Sequence, residues 1–122
     1  MSAPAPDSAE ERAQLVAAAA DEARALDLAI LHVGKVLPFC DYFVICHGRS
    51  KVHCQALAEH IEEELSKQDV HAKHREGLKD GIWIILDYLD VVVHIFEEEA
   101  RNFYDLRRLW ADAVAVEGPQ SA

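Results

Sequence analysis

Asp87 and Asp90 are the carboxylates whose placement first suggests chemistry in this chain. They lie between two apolar runs, Ile82–Leu86 and Val91–Phe96, and only Tyr88 and Leu89 separate them. Strand-borne metal sites use an Asp-x-Asp pattern, because alternate residues point to one face of a sheet. Asp87 and Asp90 are a residue further apart and span a turn, where aspartates hold the backbone through their own side chains. No Lys or Arg follows nearby to hold a phosphate. The pair therefore reads as turn residues, with catalysis and metal binding as the weaker alternative.

The other reactive residue types give little. Gly48-Arg49-Ser50 joins a strand-like run to a helical one, and such a turn can offer N–H groups to a phosphate. It has one glycine where phosphate-binding fingerprints need several, so a tight turn followed by a helix cap is expected. Seven histidines are present. His71 and His74 would point to opposite faces of a strand, and His53 and His60 lie two helical turns apart. His47 and His53 meet only if the strand end folds back on the helix start. No HExxH or Cys/His cluster occurs, so neither a metal nor a cofactor is expected. Cys46 and His47 are adjacent on a strand and point apart, which argues against a nucleophile–base pair. Cys40, Cys46 and Cys54 form no CxxC and read as buried thiols of a reducing compartment.

Charge carries more information. From Asp80 to Ala100 the acidic residues are Asp80, Asp87, Asp90, Glu97, Glu98 and Glu99, with no basic residue among them. Trp83 and Tyr88, residue types enriched at protein interfaces, lie in the same segment. The net charge is −10, which opposes binding to phosphate backbones and steers the chain toward basic proteins. On a strand, Trp83, Ile85 and Asp87 share one face, and Ile82, Ile84, Leu86 and Tyr88 the other. Pattern alone leaves two readings of Trp83, buried core or interface. No window approaches the roughly 18 apolar residues of a membrane span. The N-terminus has no signal-peptide core, so a cytoplasmic location is expected.

The elements that must position these residues follow from periodicity. Residues 1–7 are expected to be disordered, 8–113 to form one domain and 114–122 to be a flexible tail. Ser8-x-x-Glu11 opens an Ala-rich helix to about Ala25, with a thin apolar face suited to loose packing. Leu26–Val33 and Asp41–His47 read as strands, the second central. Ser50 caps a helix to about Lys67 that buries Cys54, Leu57, Ala58, Ile61 and Leu65, and leaves Glu59, Glu62 and Glu63 solvated. Val70–Glu76 is a polar edge strand. Ile82–Leu86 and Val91–Phe96 form a hairpin. Glu97 then opens a helix to about Ala113 with Ala100, Phe103, Leu106 and Trp110 inward. The fold class is α/β, a single domain with a mixed sheet of about five strands and flanking helices.

Four motifs occur in order: Asp41-Tyr42-Phe43-Val44-Ile45; Gly48-x-Ser50; Leu86-Asp87-Tyr88-x-Asp90-Val91-Val92-Val93-His94-Ile95-Phe96; and Arg101-x-Phe103-Tyr104-Asp105-Leu106-x-x-Leu109-Trp110. Together they resemble the ribosomal silencing factor (Iojap-like) family over about residues 10–112. The resemblance implies a nucleotidyltransferase-like fold without its catalytic residues. It implies a translational repressor, not an enzyme. Such a protein binds a basic protein of the large ribosomal subunit, the fourteenth, and blocks joining of the small subunit. Family members are often dimeric when free. The contact surface carried over by the resemblance comprises Trp83, Leu86, Asp87, Tyr88 and Asp90, with Glu97 and Glu98 as charge partners. The alternative is a degenerate nucleotidyltransferase-like nucleotide-binding protein or enzyme. A third reading is a self-assembling structural domain. His47, Arg49 and Leu89 depart from the family pattern, which has glycine where Leu89 stands. That change suggests a turn that does not need positive φ, or one of different shape.

Overall fold

The computed structural model describes residues 8–34, 38 and 40–98, and the backbone of 114–116. Helix α1 spans Ala9–Glu22 and is followed by strands β1 (Leu26–His32) and β2 (Tyr42–Gly48). Helix α2 (Lys51–Ser66) leads to β3 (His74–Glu76), β4 (Trp83–Asp87), β5 (Val91–Glu97) and β6 (Val114–Val116). The sheet order is β3-β4-β5-β2-β1-β6. Only β2 and β5 run parallel, with Val44 opposite Val93, so the sheet is mixed as expected. These two central strands are the most apolar, because both of their faces are covered.

Among the described residues, helices α1 and α2 lie on one face of the sheet. Ser8 caps α1 by accepting from Glu11 N, and Ser50 caps α2 by accepting from His53 N, each at 3.1 Å. The five α2 residues expected inward are all fully buried. Helix α1 is tighter than its thin apolar face suggested. Ala13, Val16, Ala17 and Ala20 are at 0% exposure, because small side chains let the helix approach the sheet and α2 closely. The opposite face carries a second, more aromatic cluster. Leu31, Val33, Phe43, Ile45 and Phe96 are buried there, with Trp83 and Val92 packed against them.

Some boundaries differ from expectation. The polar edge strand shrinks to His74–Glu76, all three residues exposed. Glu97, expected to open a helix, is the last residue of β5. Residues 99–113, which include Ala100, Phe103, Leu106 and Trp110, lie outside the described residues. The expected flexible tail instead begins with β6, which pairs Val116 with Ile30 along the edge of β1. Three residues are too few to show alternation, so pairing decides this strand. Gly77 has φ +76, and a Cβ there would strike the Trp83 carbonyl; only glycine lets the β3–β4 turn close against β4.

Candidate protein-docking face

The β4–β5 hairpin positions every expected contact residue, and its pleat divides them. Trp83, Ile85 and Asp87 point away from the helices and are partly exposed, whereas Ile84 and Leu86 point into the helix-covered core. Leu86 is at 0% exposure and Tyr88 at 5%. The resemblance places both on the contact surface; here both are buried on the helix-covered side. Successive residues of a strand point to opposite faces, and Leu86 follows Ile85 and precedes Asp87.

Trp83 sits at the rim of the second face. Its Nε1 donates to Nδ1 of His94 at 3.2 Å, and its ring stacks on Phe96 with centroids 5.0 Å apart. Phe43 meets His94 edge-on at 4.6 Å. His94 Nδ1 accepts from the indole, so the neutral ring carries its proton on Nε2, which is buried without a partner. Burial among these rings pushes the His94 pKa down to about 4. The polar link is thus held in the neutral state at physiological pH. No spacing rule in the sequence announced it, since it joins residues on neighbouring strands across Trp83↔Phe96 and Ile85↔His94.

The acidic residues fall at two ends of the hairpin. Glu97 N donates to Ile82 O at 2.8 Å, which keeps the partly exposed Glu97 beside Ile82 and Trp83. Glu98 follows and is exposed. Ile82 is 40% exposed and adds apolar area at this end, a contribution absent from the expected set. At the other end Asp87 Oδ1 accepts from Leu89 N at 2.7 Å, the turn role expected of it. Asp90 pairs with Arg12 of α1, and its carbonyl accepts from Asp41 N and Tyr42 N at 2.9 and 3.0 Å. It is first a clamp between helix, hairpin turn and β2. Leu89 has φ +75. The turn therefore does require the left-handed region, and a leucine occupies it in place of glycine.

The phosphate-type turn is already occupied by its own chain. Arg49 N donates to His53 Nδ1 at 3.0 Å, and His53 Nε2 bonds the Ala23 carbonyl at 3.0 Å. His53 N is held by Ser50, so two donors a phosphate would use are spent. A Cβ on Gly48 would lie 2.8 Å from Cys54 Sγ, so glycine serves helix–strand packing there. Among the described residues, Glu22, His60 and Glu64 alone bring three ligand-type atoms within 4.8 Å of one another. They lie at the exposed α1–α2 surface, away from Asp87 and Asp90. No described helix is long and apolar enough to cross a membrane.

Comparisons with known proteins agree with this architecture. The family described as ribosomal silencing factor during starvation matches residues 6–122. A ribosomal silencing factor of Bacillus subtilis is 38% identical over 100 residues, covering 82% of this chain and 85% of the relative. The chloroplastic Iojap protein of Zea mays is 33% identical over 105 residues, covering 85% of this chain and 45% of that protein. A crystal structure from Bacillus halodurans superposes with a TM-score of 0.79 at 33% identity, covering 88% of this chain and 98% of that one. With motifs, fold and family match in agreement, the chain belongs to the ribosomal silencing factor family.

Proposed function

We propose that this protein represses translation as a non-enzymatic binding protein. It docks on the basic fourteenth protein of the large ribosomal subunit and sterically blocks joining of the small subunit. The observation that carries the reading is the partly exposed Trp83, flanked by Ile82 and Glu97 in a segment without basic residues. An aromatic anchor inside an acidic rim suits a basic protein surface. Contact residues on this reading are Trp83, Asp87, Glu97 and Glu98. Asp90 holds the hairpin end, and Leu86 and Tyr88 support it from within. The protein acts in the cytoplasm, and a homodimer is the free form.

The test is a subunit-joining assay with purified ribosomal subunits. Added protein lowers joining and co-sediments with the large subunit; the absence of both effects would sink the reading. Trp83→Ala weakens large-subunit binding by about 2 kcal/mol. Because Trp83 also stacks on Phe96, thermal unfolding of the variant is measured first. Light scattering over a concentration series checks the homodimer.

A further inference from the structure

Between α2 and β3 lies a cleft of about 520 Å³. Glu59, Glu62 and Glu63 line one wall, Ala72 and Arg75 the other, and Tyr88 lines it from the end of the β4–β5 hairpin. Tyr88 is 5% exposed, and its hydroxyl is buried without a hydrogen-bond partner. The charges that act on this hydroxyl are those of Glu62 and Arg75. These two pair with each other across the cleft at 3.3 Å. His71, at the rim, is turned to Asp69 at 3.1 Å. No cation among the described residues pairs with Glu59 or Glu63. The cleft therefore joins a phenol without a hydrogen-bond partner to two carboxylates, Glu59 and Glu63, that no cation among the described residues pairs.

We propose that this cleft binds an alkyl polyamine. Its ammonium groups sit at Glu59 and Glu63 and donate to the Tyr88 oxygen, while its methylenes lie over Ala72 and the Tyr88 ring. A metal ion fits poorly, because these carboxylates do not converge as those of Glu22 and Glu64 do around His60. Glu59 and Glu63 are four residues apart on one helix face, about 6 Å of helix rise. Two ammonium groups separated by four methylenes span about that length, with roughly 1.5 Å per C–C bond. The net charge of −10 raises the local concentration of multivalent cations around the protein. The site goes beyond the ribosome-binding role, whose anchor Trp83 points to the other face of the sheet.

Calorimetry of the full chain with spermidine, at constant ionic strength, tests the proposal. Saturable binding is expected. Tyr88→Phe weakens it about tenfold, the effect of one hydrogen bond to a charged group. The double variant Glu59→Gln/Glu63→Gln changes only exposed side chains, so its fold is retained, and it weakens binding further. The remote pair Glu10→Gln/Glu11→Gln removes the same charge from α1 and leaves binding intact. An absence of saturable heat overturns the proposal. So does equal weakening by the remote pair, which would mean general screening, or unchanged affinity in both cleft variants.

Discussion

The two faces of the sheet are built differently. The helix-covered face is aliphatic, with Ile84, Leu86, Val93 and Ile95 at 0% exposure beneath α1 and α2. The other face is aromatic and holds a polar link, the Trp83–His94 hydrogen bond, among Phe43 and Phe96. A face closed by its own helices has no area left for a partner. A face that ends in a partly exposed indole with a satisfied N–H has both area and rigidity to offer. Adjacent residues of β4 thus serve stability and recognition separately.

The largest test of this contrast is a pair of truncations. Leu86→Ala leaves a cavity in a fully packed core and costs about 4 kcal/mol in urea unfolding. Ile85→Ala, on the partly exposed face, costs less than about half of that. Equal costs would erase the distinction between the faces.

A second test uses pH. The His94 pKa is near 4 in the folded protein against 6.5 for the free side chain, so the unfolded chain takes up the proton first as pH falls. The stabilisation from keeping His94 neutral is complete above about pH 6.5 and is lost as pH falls toward 4, about 3 kcal/mol in all. His94→Phe removes this contribution. The gap between wild-type and variant urea midpoints should therefore change between pH 7 and pH 4, and a constant gap would refute the assignment.

Two smaller effects probe the hairpin end where the faces meet. Arg12→Ala breaks the partly buried pair with Asp90 and costs about 1 kcal/mol, less at high salt. An unchanged unfolding free energy would show that the backbone bonds to the Asp90 carbonyl hold the turn alone. Leu89→Gly relieves a left-handed leucine, worth about 1–2 kcal/mol, and adds glycine's unfolded-state freedom, about 0.5–1 kcal/mol. A net gain of about 0.5 kcal/mol in unfolding free energy is expected, and a loss would mean that the exposed Leu89 side chain packs usefully.

Much of the fold was legible because it rests on local rules. Ser8 and Ser50 cap as their spacing predicted, and the buried face of α2 follows its period. The mixed sheet of about five strands was expected, and β6 adds a short edge. The candidate site was less legible. The family resemblance groups Leu86 and Tyr88 with Trp83, whereas strand alternation separates them, and the fold buries Leu86 and Tyr88 on the helix-covered side. Asp90 reads as a turn residue from its sequence neighbours, but its partner Arg12 lies on an element far away in the chain, which no local pattern shows. The tightness of α1 was missed because alanines contribute little hydrophobic contrast yet allow close approach.

By itself, the sequence determined the periodicities, the caps, the acidic base-free segment and the two possible faces of β4, since each depends on residues near one another along the chain. Which face of β4 became the helix-covered core was decided only by tertiary structure, because α1 and α2 pack on the same side. The backbone at Leu89 was decided there too. Asp87 and the Tyr88–Val91 backbone bond close the turn, and closure imposes positive φ on whichever residue stands between them.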